Sequence, residues 1–307
     1  MHRSPDAPEL PSHGWRAALA VLARLPQGAL SRAFGRVADL PIPRPLRRPL
    51  LGGFARAVGA EPAEAEEPLE AYPSLNRFFT RRLREGVRRW PDDPRAVASP
   101  VDAVAGQVGT VREGRLVQAK GRWYELRELL EEVEEDGWRR YEGGAFATLY
   151  LAPRDYHRIH APVGGVIRDA VHVPGALLPV NAAAVSHVAD LFARNERLMC
   201  HLDGTAGRVA VVAVGAYNVG RISAAFDPGW ITNRRGARLE RRAYDPPRGV
   251  ERGAEIMTFH MGSTVVLVFE PGRVELLPSL AAGEPVRLGM PIARVVSPAT
   301  DAGVLPG

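Results

Sequence analysis

The sequence is poor in lysine and cysteine, and these shortages exclude several classes of protein. Lys120 is the only lysine, so it is the single candidate for the Schiff-base lysine of a pyridoxal-phosphate enzyme. Cys200 is the only cysteine, which excludes an internal disulfide and a cysteine-based metal cluster. No apolar stretch approaches the roughly 20 residues that span a bilayer. The first residues include Asp6 and Glu9 and do not resemble a secretory signal, so we expect a cytoplasmic protein.

Basic residues are concentrated near the N-terminus. Between positions 14 and 60 the chain has eight arginines and one acidic residue, Asp39. Apolar residues recur there at helical spacing, first from Trp15 and then at Leu30, Phe34 and Val37, and a further helix is expected over 46–58. Basic amphipathic helices of this kind often lie on anionic membrane surfaces. The alternative is a set of helices that pack on the protein's own core and leave their arginines in solvent.

Beyond residue 91 the pattern changes to short strands and turns. The predicted strands cover 103–111, 115–119, 145–151, 165–173, 209–219 and 264–269, with a strand, a glycine turn and a strand over 283–293. Helices are predicted over 124–135 and 185–192. We therefore expect an α+β protein with a mostly antiparallel β core, in which a helical N-terminal segment (1–95) precedes a β-rich catalytic domain (96–307).

Gly262 and Ser263 stand directly before the apolar run 265–269, which reads as a buried strand. Gly262 lacks a Cβ and can adopt strained backbone angles that expose its carbonyl to attack. Ser263 supplies a hydroxyl next to that carbonyl. With a nearby base, the pair has what an intramolecular N→O acyl shift requires. Taken alone, the same residues also fit a tight turn leading into a strand.

Three other clusters contain groups that can carry chemistry. Asp102 follows Ser-Pro-Val among apolar residues, where it is either a turn residue or a carboxylate with a buried partner. His157 and His160 are three residues apart; no further ligand cluster is visible, so a general base oriented by a carboxylate is favoured and no metal site is expected. Arg194 and Arg197 flank Asn-Glu and fit either an anionic-substrate site or a structural ion-pair corner.

With these clusters in this order, the chain resembles the bacterial phosphatidylserine decarboxylases. Those enzymes carry Ser-Pro-x-Asp, Pro-Arg-Asp-Tyr-His-Arg-x-His, Asn-Glu-Arg, Val-Gly-Ala and Gly-Ser-Thr segments. The corresponding segments here are 99–102, 153–160, 195–197, 214–216 and 262–264. The similarity extends from about Tyr72 to about Val296, and the long histidine segment is its most specific part.

The resemblance implies a self-cleaving enzyme. In this reading Asp102 orients His160, and His160 deprotonates the Ser263 hydroxyl, as in an Asp-His-Ser triad. The hydroxyl attacks the Gly262 carbonyl, and elimination then separates a β chain (1–262) from an α chain (263–307). Position 263 becomes a covalent pyruvoyl group, the only cofactor expected.

The resemblance also implies the substrate and the partners. The pyruvoyl group would form a Schiff base with phosphatidylserine and release carbon dioxide, giving phosphatidylethanolamine, with His157 near the carboxylate being lost or the carbon being protonated. The two chains would form a heterodimer, with further homo-oligomerisation left open. We expect peripheral binding to the cytoplasmic face of the cell membrane and no nucleic-acid partner.

Three alternatives remain at this stage. A pyruvoyl enzyme that decarboxylates a soluble amino acid would not need the basic amphipathic N-terminus. A serine hydrolase could use Asp102, His160 and Ser263 without cutting its own chain. A non-enzymatic membrane scaffold or lipoyl-like carrier is suggested by the strand-turn-strand over 283–293, although that turn has no lysine to carry a lipoyl group.

Overall fold

A computed structural model describes residues 27–119, 121–131, 136–217, 220–260 and 264–296. The helix expected from Trp15, the lysine at 120, and Gly262 and Ser263 lie outside these ranges. So do positions 132–135 of the predicted helix 124–135 and positions 218–219 of the predicted strand 209–219. The residues that flank the expected cleavage point, His260 and Thr264, lie within the described ranges.

Helices dominate the first part of the described chain and recur between strands later. The α-helices are α1 (Gln27–Asp39), α2 (Arg44–Val58), α3 (Leu75–Phe79), α4 (Leu126–Leu130), α5 (Ala182–His187) and α6 (Leu191–Arg194). Short 3-10 helices cover Pro62–Glu64, Leu69–Ala71 and Gly137–Tyr141. The N-terminus of α3 is capped by Ser74, whose hydroxyl accepts a hydrogen bond from the Arg77 amide at 3.3 Å.

The remaining elements are strands. They are β1 (Ala96–Ala98), β2 (Ala103–Thr110), β3 (Arg115–Ala119), β4 (Arg122–Glu125), β5 (Ala145–Tyr150), β6 (Arg158–His160), β7 (Gly165–Val173) and β8 (Arg197–Gly204). They continue with β9 (Gly207–Val214), β10 (Ile222–Ala224), β11 (Glu240–Val250), β12 (Glu255–Phe259), β13 (Thr264–Phe269), β14 (Val274–Leu276), β15 (Pro285–Val286) and β16 (Pro291–Val295).

An eight-stranded antiparallel sheet is the centre of the fold. Its strand order is β11-β7-β8-β9-β13-β5-β2-β15. Two three-stranded sheets (β1-β16-β14 and β10-β12-β6) and the β3-β4 hairpin complete the strand pairing. The expected α+β class, with a mostly antiparallel core and helices before it, is confirmed.

Strand β13 is buried on both faces, which explains its continuous apolar sequence. All six of its residues are buried. Val265, Leu267 and Phe269 face one core, which is shared with the small sheets. Val266 and Val268 face a second core, which is shared with α4, α5, α6 and the β3-β4 hairpin. The sheet is therefore a middle layer, and its ends are the places where side chains can reach a ligand.

Two predicted helices are shorter in the structure than in the sequence pattern. The helix expected over 185–192 is split into α5 and α6, because Asp190 adopts a left-handed conformation (φ 54°) between them. In the segment expected to be helical over 124–135, β4 continues to Glu125 and α4 covers only Leu126–Leu130. None of the described helices is long and apolar enough to cross a membrane.

Candidate active site

One end of the central sheet brings the candidate segments together. Thr264, the first residue of β13, pairs with Tyr150 at the end of β5 and with Val214 at the end of β9. Val104, near the start of β2, also pairs with Tyr150. Asp102 immediately precedes β2. The Asp102 turn and the residue that follows Ser263 therefore lie at the same edge of the sheet.

The chain reaches the expected cleavage point from the neighbouring sheet. Strand β12 pairs with β6, which ends at His160. The Phe259 amide donates to the His157 carbonyl at 2.9 Å, and the His260 amide donates to the Arg221 carbonyl at 2.9 Å. The histidine segment is thus hydrogen-bonded to the backbone four residues before Ser263.

His157 has a buried ring nitrogen to which no described residue is hydrogen-bonded. Its Nδ1 donates to the Asp155 carbonyl at 2.8 Å, so the proton is on Nδ1 and Nε2 carries a lone pair. Nε2 is buried and has no hydrogen-bond partner among the described residues. The ring lies on Phe79 with 3.9 Å between ring centroids, and burial lowers the pKa of His157 to about 3. His157 is therefore a neutral imidazole with a free acceptor.

His160 has a partner for each ring nitrogen. Nδ1 donates to the Gly253 carbonyl at 2.7 Å, and Nε2 accepts from the Tyr156 hydroxyl at 3.0 Å. Burial lowers the pKa of His160, so this imidazole is also neutral. The ring lines a cavity of about 430 Å³ together with Trp90 and Tyr156. A main-chain carbonyl, not a carboxylate, fixes its tautomer.

Asp102 is held by an arginine. Arg88 donates to both carboxylate oxygens, from Nε at 2.9 Å and from Nη2 at 2.5 Å, and the Leu288 amide donates at 2.8 Å. The same guanidinium donates to Glu64 from Nη2 at 2.7 Å and from Nη1 at 3.1 Å. Arg88 thus links Glu64, in the glutamate-rich segment 61–70, to the Asp102 turn.

The expected hydrogen bond between Asp102 and His160 is not formed in this structure. Three donors occupy the Asp102 carboxylate, and both nitrogens of His160 are already hydrogen-bonded elsewhere. The two segments are nevertheless adjacent, since the His160 amide donates to the Pro100 carbonyl at 2.9 Å. Tyr156 lines the cavity at His160 and also a neighbouring cavity of about 410 Å³ at Asp102.

Arg88 and Tyr156 are the site residues whose roles sequence reasoning missed. Tyr156 lies inside the histidine segment, four residues before His160, so its position in the sequence was a usable signal. Arg88 lies 14 residues before Asp102, in a stretch with no helical or strand periodicity, and no local pattern indicates its partner. Contacts between such irregular segments become visible only in three dimensions.

The Asn-Glu-Arg segment is a structural corner. Asn195 Nδ2 donates to the carbonyls of Leu178 and Gly215, each at 2.9 Å. Arg197 is buried, and its guanidinium donates to main-chain carbonyls, including that of Leu129 at 2.7 Å. Because these carbonyls occupy the guanidinium, the structural reading is favoured over anionic-substrate binding for Arg197. The side chain of Arg194 is exposed.

Comparisons with known proteins identify relatives over most of the chain. The family model of phosphatidylserine decarboxylase matches residues 75–294. The chain is 47% identical to the phosphatidylserine decarboxylase proenzyme of Anaeromyxobacter sp. (strain K), over 90% of this chain and 98% of that protein. It is 44% identical to the proenzyme of the same name from Myxococcus xanthus (strain DK1622), over 88% of this chain and 95% of the relative. It is 42% identical to the phosphatidylserine decarboxylase proenzyme of Bordetella avium (strain 197N), over 87% of this chain and 91% of that protein.

Proposed function

Because this chain belongs to the phosphatidylserine decarboxylase family, we propose that it converts phosphatidylserine to phosphatidylethanolamine after cutting itself between Gly262 and Ser263. The resemblance seen in the sequence is confirmed, and the family is one of decarboxylases. The observation that best supports the finer proposal is His157 Nε2, which has no hydrogen-bond partner in the described part of the chain and is buried beside the strand leading to Gly262.

Self-cleavage needs a base, and His160 is our candidate. The Gly253 carbonyl keeps the proton on Nδ1, which leaves Nε2 as the basic nitrogen. In the uncut chain that lone pair accepts from Tyr156, so the Ser263 hydroxyl must replace the phenol or pass its proton through it. The Ser263 oxygen then attacks the Gly262 carbonyl and forms an ester, with the amine of residue 263 released from the former peptide bond.

The ester is resolved by elimination. A base removes the Cα proton of residue 263, and the bond from Cβ to the ester oxygen breaks, which releases chain 1–262 as a carboxylate. The resulting dehydroalanine tautomerises to an imine, and water hydrolyses the imine to a ketone with loss of ammonia. This sequence is redox-neutral and consumes one water, so the protein requires no external oxidant or cofactor to carry it out.

The residues around the expected cleavage point fit a covalent pyruvoyl group. Two buried polar atoms near it, His157 Nε2 and Thr264 Oγ1, have no hydrogen-bond partner among the described residues. Once formed, the group supplies a carbonyl that condenses with the substrate amine and accepts the electron pair left by carbon dioxide. His157 Nε2 is the nearby neutral acceptor that can take and return a proton during turnover.

A lipid substrate requires contact with a bilayer, and the first two helices offer an apolar surface for it. We call the six exposed apolar residues of this region the docking surface; they are Leu30, Phe34, Val37, Leu40, Leu46 and Leu50. Their exposed fractions range from 37% for Phe34 to 63% for Val37. Exposed apolar patches on basic helices suit insertion between anionic headgroups. Peripheral binding at the cytoplasmic face remains part of the proposal.

Intact mass spectrometry of the purified protein tests self-cleavage directly. We expect two chains, with the smaller one starting at position 263 with a pyruvoyl group and lacking a free amine. Ser263→Ala should yield one uncut chain of 33.3 kDa, whereas the control Ser279→Ala, at an exposed serine, should still be cut. A free serine at the new N-terminus would indicate ordinary proteolysis, and failure of the cut wild type to release carbon dioxide from phosphatidylserine would refute the proposed activity.

A further inference from the structure

A third cavity lies between helix α1 and the strands next to the expected cleavage point. Its volume is about 180 Å³. Its lining includes Arg32, Arg36, Asp39, Arg221, Asn233 and His260. Helix α1 is fixed over it by hydrogen bonds to the protein body, since the Ser31 hydroxyl accepts from the Gly220 amide at 3.1 Å and from Asn233 Nδ2 at 3.0 Å.

The charge in this cavity is unbalanced. Asp39 is neutralised by Arg221, whose two Nη atoms donate to its carboxylate at 2.7 and 3.0 Å. Arg32 and Arg36 have no acidic partner among the described residues, and the one side-chain hydrogen bond of Arg32 is a long contact of 3.4 Å to Asn233 Oδ1. Burial lowers the pKa of His260 to about 4, so His260 is neutral. Two arginine charges are therefore available for an anion.

The distance along the chain places this cavity within reach of the reacting position. His260 is three residues before Ser263, so their Cα atoms are at most about 11 Å apart. In phosphatidylserine the amine and the phosphorus are separated by four bonds, or roughly 5 Å when extended. When the serine amine reacts at position 263, the phosphodiester lies roughly 5 Å beyond the reacting atom and needs a cationic partner there.

The orientation of α1 fits a phospholipid. Leu30, Phe34 and Val37 lie on one side of the helix, and Arg32 and Arg36 lie on the other. A helix in the membrane interface sinks its apolar side into the acyl boundary and holds its polar side about 10 Å away, among the headgroups. With the docking surface in lipid, both arginines are level with the phosphates.

We propose that Arg32 and Arg36 bind the phosphodiester of the substrate in this cavity and so select a phospholipid over free serine. The proposal rests on the proposed function and adds a binding site to it. Arginine forms two parallel hydrogen bonds to phosphate oxygens, which suits a diester that must be held in one orientation. Arg197, the other candidate for binding an anionic substrate group, cannot take this role because main-chain carbonyls occupy its guanidinium.

The main test is steady-state kinetics with dihexanoyl phosphatidylserine below its micelle concentration, so that membrane binding does not contribute. The double variant Arg32→Gln/Arg36→Gln should raise KM about tenfold for each arginine while kcat stays close to wild type, since a charge-assisted hydrogen bond is worth at least ~1.4 kcal/mol. The matched control is Arg235→Gln/Arg238→Gln, which removes two exposed charges from the loop beside the cavity without changing its lining. An unchanged KM, or an equal rise in the control, overturns the proposal.

A binding measurement that needs no turnover guards against indirect effects. Glycerophosphoserine is titrated into the uncut Ser263→Ala chain and followed by its ³¹P resonance. Its Kd should rise in the Arg32→Gln/Arg36→Gln background and stay unchanged with Arg235→Gln/Arg238→Gln. Arg32→Lys/Arg36→Lys, which keeps the charge and loses the paired hydrogen bonds, should give an intermediate Kd. Equal Kd values in all four proteins contradict the assignment.

Inorganic phosphate distinguishes a lipid headgroup from free phosphate as the source of the anion. Competitive inhibition by phosphate that weakens in parallel with the KM change supports the headgroup. If the variants abolish inhibition by phosphate but leave KM for the lipid unchanged, the arginines bind free phosphate and the proposal is wrong. If the wild-type protein releases no carbon dioxide from phosphatidylserine, whether the lipid is monomeric or in micelles, the proposed function itself is refuted, and this result is distinct from failure of the arginine assignment.

Discussion

Replacing Arg88 with methionine tests whether Asp102 depends on this arginine or on His160. Arg88 donates to both Asp102 oxygens, at 2.9 and 2.5 Å, and its side chain is 8% exposed. It also pairs with Glu64, whose side chain is 26% exposed. Methionine has a similar length and an apolar stem, so the variant removes the charge and the hydrogen bonds and keeps most of the packing.

The magnitude follows from what each substitution leaves unpaired. Removing one partner of a buried ion pair costs about 3–5 kcal/mol, and we expect about 3 kcal/mol for Arg88→Met because the Leu288 amide still binds Asp102. Asp102→Asn leaves Arg88 paired with Glu64 and should cost about 1–2 kcal/mol. In the double variant Arg88→Met/Asp102→Asn the turn has no unpaired carboxylate. The free energy of unfolding should therefore fall by about 2–3 kcal/mol, which gives a coupling energy of about 2 kcal/mol.

Urea unfolding of the Ser263→Ala chain measures these values on a single uncut species. The same cycle is then repeated for Asp102→Asn with His160→Gln, where we expect a coupling energy below about 0.5 kcal/mol because the side chains share no hydrogen bond. Arg84→Met, at an exposed arginine of the same segment, is the control and should leave the free energy of unfolding unchanged. A larger coupling of Asp102 to His160 than to Arg88 would refute this account of the site.

Four further predictions follow from the site and from the proposed function. His160→Ala should leave the chain uncut on a denaturing gel, whereas His157→Ala should be cut and release little carbon dioxide; the opposite pattern would exchange their roles. Burial lowers the pKa of both rings, to about 3 for His157, so the unfolded chain binds more protons below pH 6.5 and stability should fall there by up to about 1.4 kcal/mol per pH unit per histidine. The cleavage rate of freshly refolded chain should likewise be constant from pH 8 to 7 and reach half its maximum below pH 6.5; a midpoint above 7 contradicts a neutral buried base. Phe34→Ser/Val37→Ser should reduce flotation with anionic liposomes even at high salt, whereas Leu239→Ser, at an exposed residue outside the docking surface, should not.

The sequence pattern predicted the fold well where a strand or helix is long and regular. Strand β13 has a continuous apolar run because both of its faces are buried, and helix α1 has apolar residues at helical spacing, on a side that is exposed in the structure. The prediction failed at Asp190, where a single left-handed residue divides a helix that the apolar spacing makes continuous. Periodicity indicates the type of an element and which of its residues share a side, and it carries little information about where the backbone turns.

The site was predictable only in part, because its hydrogen bonds connect irregular segments. The candidate histidines and Asp102 were visible as chemical groups in a recognisable order. Their partners were not: the Gly253 carbonyl is a main-chain atom with no residue signature, and Arg88 is one of 39 arginines. Assigning Asp102 to His160 followed the logic of a triad, whereas the structure gives the carboxylate to the arginine that best matches it, with two parallel hydrogen bonds.

A carbonyl in place of a carboxylate behind His160 is consistent with a reaction that occurs once in the life of each molecule. A carboxylate stabilises the imidazolium that forms when the base takes a proton, and a neutral carbonyl does so less. Each ~1.4 kcal/mol lost in this way slows the step about tenfold, which a single maturation event tolerates. Decarboxylation, by contrast, is repeated in every turnover, and under the proposed function it uses His157, whose Nε2 has no partner to displace among the residues that the structure describes. The two histidines, three residues apart, thus differ in the state of one ring nitrogen, and this difference suits one to a single event and the other to repeated catalysis.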